Sequence, residues 1–220
     1  MVLVSPSILA ADFSRLGEEL RRCEEGGADV IHLDIMDGHF VPNITFGPVV
    51  VKSIRKETSL PFEAHLMIER PDLYWERFAE VGVGWITVHA EVKIPLRPLL
   101  REMEGSVRRG IAVNPGTPLS RVEPFLDMLD FLLIMTVNPG FAGQTFIPEA
   151  ALKVKEAVHL REKEGFHYLV GVDGGINAVT AKTAVAYGAD VLVAASAVFR
   201  GDVVENIGRL KSAGGGDGQD

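Results

Sequence analysis

Cysteine is almost absent: Cys23 is the only one in 220 residues, so no intrachain disulfide can brace the fold. A reducing, cytoplasmic compartment is the expectation that follows. Basic residues are scarce relative to acids, with 22 Lys and Arg against 30 Asp and Glu and a formal charge of −8. No basic stripe offsets that balance, and Arg108-Arg109 is too short to supply one, so nucleic acid is excluded as the main partner. No apolar run approaches the roughly 20 residues needed to span a bilayer. The start, Met1-Val2-Leu3-Val4-Ser5-Pro6, has no basic region ahead of a cleavable apolar core, so neither a membrane partner nor processing is expected.

What the chain has is alternation. Hydrophobic residues make up 47% of it, enough at this length for a large core in one domain. Apolar, β-branched runs recur at residues 2–9, 30–34, 62–67, 85–89, 110–113, 131–136, 168–172 and 191–195, and read as strands buried on both faces. Helical spacing lies between them, as in Leu16, Leu20 and Cys23 with charge on the opposite face, and again in Leu152, Val154, Ala157 and Val158. Small-residue stops, Gly26-Gly27-Ala28-Asp29, Gly82-Val83-Gly84 and Gly188-Ala189-Asp190, precede the next strand, with glycine free to take the left-handed cap. Val113-Asn114-Pro115-Gly116 recurs one unit later as Val137-Asn138-Pro139-Gly140. Eight near-equal units predict an α/β fold, a single (β/α)8 TIM barrel over residues 1–211, with the Gly-rich stretch 212–220 as a disordered tail.

In such barrels the chemistry sits at the C-terminal ends of the strands. His32 and Asp34 end one apolar run, and residues i and i+2 of a strand share a face. Taken alone, a His-x-Asp pair on a strand is more often a hydrogen-bonded core pair. Two further runs end in His65 and Asp173, however, and all four residues converge on one mouth. Two imidazoles and two carboxylates suit one divalent transition ion per chain, Zn, Mn, Fe or Co, and the oxygen share argues against a purely structural zinc. A second feature is small residues after strands six, seven and eight: Gly140-Phe141-Ala142-Gly143, Gly174-Gly175 and Ala195-Ser196. Any one of them reads as a tight turn; together on one rim they favour a phosphate site built from backbone N–H groups.

Ser5-Pro6-Ser7-Ile8-Leu9, the run from His32 to Asn43, His65-Leu66-Met67, Asn138-Pro139-Gly140-Phe141 and Val172-Asp173-Gly174-Gly175 together resemble the ribulose-phosphate 3-epimerase family, in order from about Ser5 to Phe199. The resemblance implies a barrel of the ribulose-phosphate-binding type and a metal-dependent epimerase of the pentose phosphate pathway. Its substrate is a small phosphorylated ketose, D-ribulose 5-phosphate or D-xylulose 5-phosphate. It further implies His32, Asp34, His65 and Asp173 as metal ligands, Asp34 as proton acceptor and Asp173 as donor. Ser7, His65, Gly140, Phe141, Ala142 and Gly143 become substrate contacts, as do Asp173, Gly174, Gly175, Ala195 and Ser196. Met36, Met67 and Met135, otherwise core filling, are expected to pack over the intermediate. A homo-oligomer is expected from the resemblance alone.

The chemistry is consistent with these roles. The C3 proton of a 2-keto sugar is acidic because its loss gives an enediolate, which a cation stabilises. Inverting C3 needs proton removal on one face and return on the other, hence two acids on opposite walls. The family's Gly-Phe-Gly-Gly and Gly-Ser stand here as Gly140-Phe141-Ala142-Gly143 and Ala195-Ser196, and a positive φ at either alanine would be costly. The nearest rival substrate is allulose 6-phosphate; a rival of another class is a noncatalytic sugar-phosphate-binding barrel, which has no need of two acids around a metal. No lysine stands at a predicted strand end, which argues against Schiff-base chemistry. Asp37 reads as a turn residue, His159 and His167 as surface, His89 as packing behind the site, and Asp12 or Ser14 as the first helix cap. Residues 38–48 form a candidate lid, with Phe40, Val41 and Phe46 as a candidate interface.

Overall fold

A strand apolar on both faces must be covered on both, which a closed barrel ringed by helices achieves. The computed structural model describes residues 2–214. Its strands are β1 (Leu3–Pro6), β2 (Ile31–Met36), β3 (Phe62–Met67), β4 (Trp85–His89), β5 (Arg108–Val113), β6 (Phe131–Met135), β7 (Leu169–Asp173) and β8 (Val191–Ala194). They pair in parallel from β2 round to β8, β8 pairs with β1, and an isolated parallel bridge from Ser7 to His32 closes the ring. The (β/α)8 barrel expected from the spacing is the one observed.

Outside it lie α1 (Leu16–Glu25), α2 (Pro48–Ile54), α3 (Trp75–Glu80), α4 (Leu96–Glu102), α5 (Pro148–Glu164), α6 (Ala178–Ala186), α7 (Ser196–Phe199) and α8 (Val203–Ser212). Between β5 and β6 only 3-10 turns form, Leu119–Arg121 and Glu123–Met128, because Pro118 and Pro124 interrupt helical hydrogen bonding there. Two of the small-residue stops, those ending in Asp29 and Asp190, have a second use, which Asp130 shares. Asp29, Asp130 and Asp190, each just ahead of a strand, accept the backbone N–H of Val4, Arg109 and Val170 on the preceding strand, all at 2.8 Å. Asp29 thereby latches β1 to β2, the pair that the continuous ladder leaves open.

Strand alternation divides the core in two. Phe131, Leu133 and Met135 fill the barrel with Trp85, Val191 and Val193, while Leu132, Ile134 and Leu192 pack outward beneath the helices. At Gly171 a Cβ would come within 2.4 Å of the Phe131 ring, so β7 is bare where that ring crosses the interior.

Several local expectations move. The first run was expected to stay extended to residue 9, but β1 ends at Pro6 because the Ser7 side chain accepts the Leu9 N–H (3.3 Å) and starts a 3-10 turn. β2 continues two residues beyond Asp34, which puts Met36 on the inner face with His32 and Asp34. Asp12 caps the 3-10 turn Phe13–Arg15 through the Ser14 N–H (3.0 Å) rather than α1 itself. Ser212 is the last residue of α8, Ala213 and Gly214 form a turn, and the rest of the expected tail, 215–220, lies outside the described residues. Among those described, no helix is long and apolar enough to cross a membrane.

Candidate active site and metal cluster

The inner faces of β2 and β3 are in register at Asp34 and His65 and again at Met36 and Met67, so alternation delivers His32, Asp34, His65 and two methionines to one end of the barrel. Asp173, the last residue of β7, joins them from the opposite wall. His32 Nε2 lies 3.3 Å from Asp34 Oδ1 and 3.8 Å from Asp173 Oδ2, and His65 Nδ1 is 3.6 and 3.7 Å from the same two oxygens. One ligand atom from each of the four residues falls within 4.8 Å of every other.

Their chemistry tests whether an ion fits. His32 Nε2 and His65 Nδ1 are buried with no hydrogen-bond partner, and both are aimed at carboxylate oxygens. The other nitrogen of His32, Nδ1, touches Glu63 Oε2; a carboxylate only accepts, so a proton belongs on Nδ1, and Nε2 is the nitrogen presented to the cluster. Burial opposes the charge on His32, but Glu63 and Asp34 prevail and raise its proton affinity well above the usual imidazole range; a divalent cation among these four donors would take that proton's place.

Without an ion the two acids are driven apart. Burial works to raise the carboxyl of Asp34, but His32 and His65 beside it prevail and hold it well below the usual carboxylate range. Burial, reinforced by the charge of Asp34, pushes Asp173 up to about 6 against the pull of the imidazoles. Carboxyl carbon NMR of the metal-free protein should therefore show Asp173 titrating near pH 6 while Asp34 stays ionised; equal, ordinary titrations would remove the asymmetry.

A cavity of about 690 Å³ opens above the cluster, within the range of small-molecule sites. Ser7, Asp34 and Asp173 line it with Met36, Met67 and Met135; so do Gly140, Phe141, Ala142, Gly143, Gly174, Gly175, Ala195 and Ser196. His32 and His65 are fully buried and lie off the cavity wall, so of the residues expected to touch substrate, His65 reaches the cluster alone. Ser7 Oγ donates to Asp34 Oδ2 at 2.5 Å, which fixes the carboxylate's orientation.

Gly174 and Gly175 have φ of 117° and 66°, and a Cβ on either would come within 2.5 Å of Val137 or the backbone N of Phe146. Glycine at those positions lets the backbone itself form the rim. The concern over Ala195 dissolves, because its φ is −99°, a value open to alanine. The segment 38–48 is anchored over the mouth: Asn43 Nδ2 donates to the Gly140 carbonyl (2.8 Å), and Thr45 Oγ1 donates to the Asp34 carbonyl (2.6 Å). Its expected interface residues turn inward. Val41 is buried with Met36 and Met67, Phe40 packs on His89, and Phe46 meets Phe13. Asp37 is the expected turn residue, accepting from the N–H groups of His39, Phe40 and Glu69.

Sequence reasoning passed over Glu63, although a glutamate inside an apolar strand two residues before His65 was a readable signal. It also passed over Arg200, the only basic side chain among the described residues that line the cavity, and over Asn177 and Thr180, which line it too. Nothing local marks those three; adjacency across α6 and α7 does.

Residues 3–199 match the family model described as the ribulose-phosphate 3 epimerase family. A ribulose-phosphate 3-epimerase of Bacillus subtilis is 48% identical over 201 residues, covering 90% of this chain and 93% of that protein. One of Methanocaldococcus jannaschii is 45% identical, covering 97% and 91%. A crystal structure of 3-hexulose-6-phosphate synthase superposes with a TM-score of 0.70 at 16% identity, covering 97% of this chain and 99% of that one, which bears on the fold alone.

Proposed function

The chain belongs to the ribulose-phosphate 3-epimerase family, and from that premise we propose that it interconverts D-ribulose 5-phosphate and D-xylulose 5-phosphate by moving one C3 proton between two carboxylates. The observation that carries this reading is the pair Asp34 and Asp173, which line one cavity from opposite walls. The ionised Asp34 takes the C3 proton of ribulose 5-phosphate on its side. Asp173, at the end of β7 on the opposite wall, returns a proton on the other face and inverts the centre. In reverse the two exchange roles.

His32, Asp34, His65 and Asp173 are the residues that would hold a divalent ion, one per chain, and such an ion supplies the positive charge that an enediolate needs. Ser7 keeps Asp34 oriented, and Met36, Met67 and Met135 present apolar, polarisable surface that keeps water from a planar intermediate. Backbone at Gly174-Gly175, the 140–143 loop and Ala195-Ser196 receives the phosphate. Arg200 on the same cavity is the cation suited to its charge in a chain of net charge −8. Exposed Ile44, Val49 and Leu73 support the expected homo-oligomer, and the free, buried Cys23 supports the expected cytoplasmic setting.

Incubated with ribulose 5-phosphate in deuterated water, the metal-replete enzyme should yield xylulose 5-phosphate carrying deuterium at C3. The absence of both turnover and exchange would falsify the epimerase reading. Comparing kcat/KM for ribulose 5-phosphate and allulose 6-phosphate decides the sugar: a higher value for the six-carbon substrate replaces the first with the second.

A further inference from the structure

We infer that His89 and Glu91 act as positioning residues that fix the tautomer of His65 and leave its Nδ1 free to face the candidate metal cluster. The inference rests on the reading of His65 as a metal donor, and its geometry begins at Glu91 in the loop after β4. Glu91 lies two residues beyond β4. Its Oε1 accepts the N–H of Asn114 at 3.0 Å, and its Oε2 is 3.0 Å from His89 Nδ1. A carboxylate can only accept, so the bond to Oε2 requires a proton on His89 Nδ1.

The opposite nitrogen of a neutral His89 then carries a lone pair. It faces His65 Nε2 at 2.8 Å, and a hydrogen bond between two imidazole nitrogens needs one proton between them. That proton must sit on His65 Nε2. His65 Nδ1, the nitrogen turned toward Asp34 and Asp173, is left bare. Reversing His89 would push the His65 proton onto Nδ1, into the space an ion needs. Both rings are fully buried, stacked with centroids 4.9 Å apart, and Phe40 covers the outer face of His89. Water is thereby kept from replacing either partner.

The chain also gives a use to the first Val-Asn-Pro-Gly turn, which the proton transfer leaves unassigned. Lys153 Nζ donates to the carbonyls of Asn114 and Pro115, both at 2.7 Å, and so holds the turn that holds Glu91. His32 reaches the same end in one step, through Glu63. The two imidazoles of the cluster are thus oriented by separate carboxylates.

Nitrogen-15 NMR of imidazole-labelled, metal-free wild-type protein tests this directly. His65 should be the neutral Nε2–H tautomer and His89 the Nδ1–H tautomer; a proton on His65 Nδ1, or a doubly protonated His89, overturns the inference. Glu91→Gln, whose amide can donate as well as accept, should weaken Zn²⁺ binding by about 10- to 100-fold in competition with a chromophoric chelator. An unchanged affinity with the circular dichroism spectrum intact would also overturn it. Should that variant fail to fold, the wild-type spectrum still decides. Wild type with this tautomer pair but no epimerase activity would sink the function proposed above and leave this inference standing.

Discussion

Asp34→Asn and Asp173→Asn should each lower kcat for epimerisation by about 10³- to 10⁴-fold, the upper part of what a positioned acid or base contributes. Both carboxylates line the cavity, and neither has a neighbouring acid on its own wall to take over. Glu63 is the nearest candidate, but it is buried behind His32 and engaged with its Nδ1. The asymmetry between the variants is the sharper expectation. With Asp173→Asn, Asp34 still faces the C3 hydrogen of ribulose 5-phosphate, so deuterated water should exchange that hydrogen without forming xylulose 5-phosphate. Asp34→Asn should exchange only the other epimer. KM should change little, because the phosphate-facing loops are untouched. Near-wild-type turnover by either variant would mean that inversion does not use two acids.

Rigorous chelation should abolish turnover, and adding back a divalent ion should restore it. Stability should move as well. The donor atoms of the four residues lie within 4.8 Å of one another, and an ion that binds only the folded state shifts unfolding by mass action. At a hundredfold excess over Kd that is about 2.7 kcal/mol. For a chain of this length it corresponds to a rise in Tm of about 5 to 10 °C. Calorimetry with and without the ion measures it. Full activity with metal content at zero would remove the ion from the mechanism, and an unmoved Tm would mean that the folded state does not bind the ion preferentially.

The barrel was readable because it is written in local pattern. Eight apolar runs recur at regular intervals, and three of the stops between them end in glycine or aspartate, Asp29 for a backbone reason, since it accepts the Val4 N–H. The four cluster residues were readable for the same cause, since each stands at or near the end of such a run and i, i+2 spacing assigns its face. Glu63, with the same alternation, was visible but lacked a stated partner.

His89 and Glu91 show where such reading stops. Their spacing puts them at and just beyond the end of β4, yet their role depends on a contact with His65 from another strand and on Asn114 from the loop after β5. Arg200 reaches the cavity only because α7 returns the chain across β8. Periodicity along the chain was enough to settle the architecture and to nominate His32, Asp34, His65 and Asp173. Closure of the barrel alone decided that Ser7 would meet Asp34, that Asp34 would stay ionised while Asp173 rises to about 6, and which nitrogen of each imidazole faces the cluster. Hydrophobic patterning is set by neighbours in sequence, whereas proton affinity and tautomer are set by burial and by charges a few ångströms away through space, which only the folded chain brings together.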